Sequence, residues 1–149
     1  MSRDRFITDR HAFMAAAGEP QPQSPVFRPQ QLPMWETMLA EELAELREAI
    51  DHYRVVDPND ADALAAAQAE FCAEGCDAIN VLVGLMISQG LPIDAMADAI
   101  HAANMAKCVD GHMVRRDDGK ILKPAGWQPA DKLGVILAAR QRQMEKAQG

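Results

Sequence analysis

Residues 41–45 read Glu-Glu-Leu-Ala-Glu and residues 74–77 read Glu-Gly-Cys-Asp, each inside a long run of good helix formers. Each stretch contains two carboxylates spaced three residues apart, which places them on one face of a helix. The two pairs are Glu42 with Glu45 and Glu74 with Asp77. A turn sequence, Asp-Pro-Asn-Asp at residues 57–60, lies midway between the pairs. If the chain folds back there as an antiparallel hairpin, the four carboxylates meet face to face.

Such a meeting of carboxylates requires a cation. Between Phe71 and Ile87 the only strongly polar residues are Glu74, Asp77 and Asn80, so we expect this helix to be buried and its carboxylates to need a partner. Four carboxylates around one point repel one another unless a positive ion lies between them. Oxygen ligands favour Mg²⁺ or Mn²⁺ over zinc. The predicted ligands are Glu42, Glu45, Glu74 and Asp77, and the alternative is a solvated acidic face.

The remaining sequence predicts a single all-α domain over residues 1–149, a helical bundle built on this antiparallel hairpin. Predicted helices cover residues 4–17, 33–56, 61–89, 94–108 and 131–146, with Asp94 and Asp131 as caps of the last two. Five prolines between residues 19 and 33 predict an extended connector. The domain thus divides into an N-terminal helix and connector (1–32), a carboxylate-bearing core (33–108), and a basic segment with a C-terminal helix (109–149).

Composition excludes several classes of protein. With 48% apolar and 25% charged residues the chain is not disordered, and a net charge of −7 argues against nucleic-acid binding through a basic face. We expect a cytoplasmic protein with reduced cysteines, no signal peptide and no membrane contact. Only 5% of residues are aromatic, so one hairpin makes a thin core and we expect a homodimer or homotetramer.

The order of motifs resembles that of a known superfamily. A Glu-Glu-x-x-Glu stretch followed about thirty residues later by Glu-x-x-Asp resembles the MazG-like all-α NTP pyrophosphohydrolases. Residues 103–107 (Ala-Asn-Met-Ala-Lys), 118–124 (Asp-Gly-Lys-Ile-Leu-Lys-Pro) and 126–131 (Gly-Trp-Gln-Pro-Ala-Asp) are similar to the phosphoribosyl-ATP pyrophosphohydrolase-like branch. Within that branch they most resemble bacterial members that hydrolyse dUTP.

The resemblance implies Mg²⁺-dependent cleavage of a nucleoside triphosphate between its α and β phosphates, with dUTP as the first choice of substrate. Because a triphosphate is itself strongly anionic, an acidic pocket can bind it only through metal ions. In this interpretation Glu42, Glu45, Glu74 and Asp77 hold Mg²⁺, for which Mn²⁺ can substitute. Glu41 and Glu45 are the candidate catalytic carboxylates, with Glu41 as base or extra ligand. A solvated Glu41 is the alternative.

The same resemblance suggests where the nucleotide binds. Candidate substrate-binding residues are Asn80, Asn104, Lys107, Lys120 and Lys123. Residues 101–123 contain five Lys or Arg against three Asp, so this segment can cover phosphates, with Arg115 or Arg116 contributing. A solvated basic loop is the alternative.

Two aromatic residues have open roles in this interpretation. We expect Trp127 to anchor the tail to the bundle, with base stacking as the alternative. On the first helix we expect Phe13, like His11, to pack in the core, and the alternative is that both close over a base.

Carboxylate-lined helical bundles also hold di-iron centres for redox chemistry or iron storage. Such centres use Glu-x-x-His pairs, and here only Asp98-x-x-His101 comes close, on a different helix from the carboxylates. A di-iron or iron-binding protein is therefore the competing hypothesis.

Overall fold

A computed structural model describes residues 3–149 of the chain. This part of the chain is helical and contains no β-strand, which confirms the predicted all-α class. The helices are α1 (Arg3–Ala16), a 3-10 turn (Pro29–Gln31), α2 (Leu32–Val55), α3 (Ala61–Ser88), α4 (Ile93–Met105) and α5 (Lys132–Gln148).

Helices α2 and α3 form the predicted hairpin. They are 24 and 28 residues long. Among the described helices, these two make the most extensive contact with each other. The turn is held by its aspartates. The Asp57 carboxylate accepts the backbone N–H of Asn59 at 2.9 Å, and the Asp60 carboxylate accepts that of Ala63 at 3.0 Å, which caps α3. The connection is thus defined by local hydrogen bonds.

Helix α1 packs against α3 and completes a small core. Met14 of α1 and Trp35 of α2 are almost fully buried. Gly84 of α3 makes room for Trp35 and for Arg10, since a Cβ there would lie 2.5 Å from Cη2 of Trp35 and 2.8 Å from Nε of Arg10. After α1 the chain turns at Gly18, where φ is +71°, a conformation that costs glycine little.

The chain separates into two compact units. The first comprises the residues up to 22 together with 26–90, and the second comprises 23–25 together with 91–149. The boundary therefore falls after α3 and assigns α4 to the second unit, whereas the predicted carboxylate-bearing core ran from 33 to 108. The assignment of 1–149 to one domain stays a prediction.

In the second unit α4 packs against α5. The Asp131 carboxylate accepts the backbone N–H of Gly134 at 2.9 Å, so the predicted cap of α5 is confirmed. The predicted cap at Asp94 is wrong. Asp94 lies inside the first turn of α4, and Pro92 precedes the helix, because proline has no N–H to be satisfied and its fixed φ suits a helix start.

Helix α3 is less buried than its sequence indicates. Phe71, Ile79 and Leu82 are 36–43% exposed, and Cys72 is exposed as well, because within the first unit α1 and α2 cover only part of its circumference. By length and composition α3 could also cross a membrane. The core helix of a bundle meets the same criterion, and α3 carries Glu74 and Asp77 in its middle.

The packing at Gly84 makes a stability prediction. Gly84→Ala should destabilise the protein, because overpacking a core costs about 1–3 kcal/mol and the gain in helix propensity returns only about 1 kcal/mol. The matched control is Gly75→Ala on the same helix, where an added Cβ meets nothing within 4 Å and stability should rise. Urea unfolding followed by circular dichroism measures both. A Gly84→Ala protein as stable as Gly75→Ala would contradict the close contact with Trp35.

Candidate functional site

Three of the four predicted metal ligands converge where α2 and α3 face each other. One carboxylate oxygen from each of Glu42, Glu45 and Glu74 lies within 4.8 Å of the other two. Glu42 and Glu74 are half-buried and Glu45 is exposed. The Oε2 atom of Glu74 is buried and has no hydrogen-bond partner among the described residues. A buried carboxylate oxygen without a donor is costly, so this arrangement is incomplete without a positively charged or hydrogen-bonding group.

Burial and mutual repulsion raise the pKa of two of these carboxyls. The pKa of Glu42 lies above its usual value because of desolvation and then because of the charges of Glu45, Asp77 and Glu41. The pKa of Glu74 is raised by desolvation and then chiefly by Glu45 and Asp77. The fourth predicted ligand, Asp77, is therefore near enough to repel both glutamates. A divalent cation among these carboxylates would offset their mutual repulsion.

Asp77 also lines a cavity of about 390 Å³ that adjoins the carboxylates. The lining residues are Asp9, Arg10, Phe13, Glu42, Asp77, Asn80 and Val81. This volume is within the range of small-molecule sites. Asn80 thus lies at a cavity that also contains two predicted ligands, as a substrate-binding residue should. Glu41 is exposed and lies outside the three-carboxylate cluster, although its charge is felt by Glu42.

The donor set fits a hard divalent cation. All the groups are carboxylates, the ligand type that Mg²⁺ and Mn²⁺ accept, and one buried oxygen lacks any other partner. Glu42, Glu45 and Glu74 would hold such an ion, with Asp77 at the edge of the adjoining cavity.

Three cavity residues come from α1, namely Asp9, Arg10 and Phe13, and neither Asp9 nor Arg10 was among the predicted site residues. The guanidinium of Arg10 lies 4.7 Å from the ring centroid of Phe13 and 5.6 Å from that of Trp35. Phe13 is 60% exposed, so the expectation that it packs in the core is wrong. Its i, i+3 spacing from Arg10 on one helix face was the available sign that the two act together, but only the packing of α1 shows what that face meets.

In the second unit, three of the predicted substrate-binding residues gather around Trp127. Lys107 Nζ lies 5.3 Å and Lys123 Nζ 4.9 Å from the centroid of the Trp127 ring system, and Lys107 donates a hydrogen bond to Asn104 Oδ1 at 2.8 Å. The Trp127 indole N–H donates to the carbonyl of Ala103 at 2.6 Å. This bond ties the tail to α4, as predicted for an anchor.

The other basic residues of that segment are partly engaged in its turn. The Asp118 carboxylate accepts from Arg116 Nε at 2.9 Å, and this contact lowers the pKa of Asp118. Arg115 donates to the carbonyl of Gly119 at 2.7 Å. The backbone N–H of Lys120 also binds Asp118, while its side chain is exposed. The guanidinium groups of Arg115 and Arg116 are therefore engaged within the turn itself.

The paired helices α2 and α3 bring glutamates to one point within an all-α chain, as the resemblance to the all-α pyrophosphohydrolases predicts. The sequence model of the phosphoribosyl-ATP pyrophosphohydrolase family matches residues 10–104. The chain therefore belongs to this family, and with it to the MazG-like all-α NTP pyrophosphohydrolase superfamily. It is a pyrophosphohydrolase. A search of curated proteins finds no match.

Family membership decides against the di-iron hypothesis. The Asp98 and His101 pair, the nearest match to the Glu-x-x-His pairs of such centres, lies on α4, in the second unit. The carboxylate cluster of α2 and α3 contains no histidine.

The raised pKa values lead to a prediction for metal-free protein. Unfolded, these glutamates titrate near 4.5. Folded, they hold their protons to higher pH, so the folded state loses stability as pH rises through the raised pKa, and the loss vanishes below pH 4.5. In the presence of a chelator, Glu74→Gln should therefore be more stable than wild type at pH 7, with the difference disappearing near pH 4.

Urea unfolding at pH 4, 5.5 and 7 measures this difference. The control is Glu36→Gln, an exposed glutamate of the same hairpin, which should change stability little at any of these pH values. If Glu74→Gln is no more stable than wild type at pH 7, the carboxylates do not repel one another in the folded chain.

Proposed function

We propose that this protein is a Mg²⁺-dependent nucleoside triphosphate pyrophosphohydrolase that converts dUTP to dUMP and pyrophosphate. The observation that carries the proposal is the convergence of Glu42, Glu45 and Glu74 with one buried, unpartnered carboxylate oxygen. When bound there, Mg²⁺ neutralises phosphate oxygens and stabilises the charge that develops during phosphoryl transfer. Mn²⁺ is expected to substitute for it.

The residues of the chain have separate tasks in this reaction. Glu42, Glu45, Glu74 and Asp77 are the proposed ligands. Glu41, exposed beside them, is the proposed base that takes a proton from the attacking water. Glu45 is the second proposed catalytic carboxylate. The water attacks the α-phosphorus in line, a new P–O bond forms, and the bond from the α-phosphorus to the bridging oxygen breaks so that pyrophosphate leaves.

Substrate choice depends on the cavity beside the carboxylates. The Asn80 amide both donates and accepts hydrogen bonds and is proposed to bind the edge of a pyrimidine. The resemblance to dUTP-hydrolysing proteins supports dUTP, while the family name supports phosphoribosyl-ATP as the second candidate. The cavity of about 390 Å³ lies at the small end of the usual range for small-molecule sites, which favours the smaller base.

Asn104, Lys107, Lys120 and Lys123 are proposed to bind the sugar and the phosphates. Their charge and their similarity to the family motifs support this assignment. Lys107 and Lys123 beside the Trp127 ring combine cations with an aromatic surface, a combination suited to phosphate and base.

We further propose a cytoplasmic homodimer or homotetramer. The support is the apolar groove of about 410 Å³ on the first unit, lined mainly by Tyr53, Phe71, Cys72, Cys76 and Ile79. Exposed apolar surface of this kind is typical of a face that a second copy covers.

Loss of a proposed ligand should abolish turnover without unfolding the protein. Glu45→Ala and Asp77→Ala should each lower kcat/KM by at least about 100-fold, while far-ultraviolet circular dichroism stays helical. Glu36→Ala, which removes an exposed carboxylate of the same hairpin, is the matched control and should keep its activity. Pyrophosphate release with Mg²⁺ is the measurement. An active Asp77→Ala enzyme would remove Asp77 from the ligand set.

The substrate proposal is tested by comparing kcat/KM for dUTP, dCTP, dTTP, UTP, oxidised dGTP and phosphoribosyl-ATP at one Mg²⁺ concentration. We expect dUTP to lead and the related pyrimidines to follow within about a hundredfold, because pockets discriminate small substituents only to that extent. Asn80→Ala should reduce the differences among the pyrimidines. A purine nucleotide that leads by more than tenfold would overturn the pyrimidine pocket and leave the pyrophosphohydrolase chemistry standing.

A further inference from the structure

We infer that Arg10 of α1 is a substrate-binding residue whose guanidinium binds a phosphate group of the nucleotide. This inference rests on the proposed function, since it adds a residue to the site formed by Glu42 and its neighbours. Two observations support it. One is the set of residues that line the cavity beside the carboxylates, and the other is that Arg10 Nε is buried without a hydrogen-bond partner among the described residues.

Among the described residues that line this cavity Arg10 is the only cation, and the cavity walls also carry the carboxylates of Asp9, Glu42 and Asp77. In an acidic pocket an arginine is expected to form an ion pair, yet none joins Arg10 to a carboxylate in the part of the chain that the structure describes. Asp9 instead pairs with Arg5 at 3.4 Å. Of the carboxylates that the structure describes, none forms an ion pair with Arg10, although three line the same cavity.

The side chain is nevertheless held in place. Its guanidinium lies over the rings of Phe13 and Trp35, and the absence of a side chain at Gly84 leaves space for its Nε atom. That Nε is buried and has no hydrogen-bond partner among the described residues. A donor that is fixed and desolvated but unsatisfied costs stability. A buried polar group without a partner calls for an explanation, and a bound ligand that accepts its hydrogen bond would supply one.

The chemistry of the ligand follows from these properties. A guanidinium presents planar N–H donors and no acceptor, so it selects an anion with paired oxygens, and phosphate is such an anion. Once a divalent cation satisfies the carboxylates, they no longer compete for Arg10. The guanidinium of Arg10 would then be available to bind phosphate oxygens in this cavity.

The experiment uses inorganic triphosphate, which carries the phosphates of the substrate without a base, so the result does not depend on which nucleotide is preferred. Calorimetry with Mg²⁺ should show binding about 10- to 100-fold weaker for Arg10→Gln, the loss expected for charged hydrogen bonds. Arg10→Lys keeps the charge and loses the planar donors, so it should recover part of the affinity. The matched control is Arg54→Gln, an exposed arginine of the same unit that pairs with Asp51 and should bind as wild type does.

A second readout separates ligand binding from a structural role. Removing a positive charge beside Glu42 and Asp77 should leave Mn²⁺ affinity without triphosphate unchanged or slightly stronger, whereas a distorted site would bind both ligands more weakly. Triphosphate binding by Arg10→Gln within twofold of wild type overturns the inference and spares the proposed function. A parallel loss of Mn²⁺ affinity in both Arg10 variants also overturns it. Wild-type protein that binds no triphosphate with Mg²⁺ and hydrolyses no nucleotide refutes the proposed function itself.

Discussion

Like-charge repulsion inside the α2–α3 hairpin is the constraint on which the rest of the site depends. The turn held by Asp57 and Asp60 sets the register of the two helices, and this register brings Glu42, Glu45 and Glu74 together. Desolvation and mutual repulsion raise the pKa of Glu42 and Glu74. This repulsion lowers the stability of the hairpin. The carboxylates that cause it are the same ones that form the proposed metal site.

Helix α1 packs against the hairpin and forms one wall of the cavity beside the carboxylates. Its Arg10 side chain lies over the ring of Trp35 and beside Gly84, where a Cβ would lie only 2.8 Å from Arg10 Nε. Helix α1 also brings Phe13 to the cavity that Asn80 lines beside the carboxylates. The packing of α1 therefore determines which of its side chains face this cavity.

Helix α3 is partly exposed because too few helices pack around it. A helix with apolar residues around most of its circumference needs neighbours on every side, but α1 and α2 supply only some of them. Phe71, Ile79 and Leu82 consequently remain exposed. The apolar character of this helix was evident from its sequence. Its burial in a single chain was not, because burial depends on how many helices pack around it.

The sequence by itself determined the helices, the cap at Asp131, and the pairing of Glu42 and Glu45 with Glu74. The helices and the cap depend on hydrogen bonds between residues a few positions apart. The pairing of the glutamates depends on their distances along the sequence from the hairpin turn at residues 57–60, which the sequence shows directly. Only the tertiary structure decided that Arg10, which has no ion pair among the described residues, lines the cavity and that Phe13 is exposed beside it. The face of α1 that meets α3 is set by packing between residues far apart in the sequence, such as Arg10 against Trp35 and Gly84.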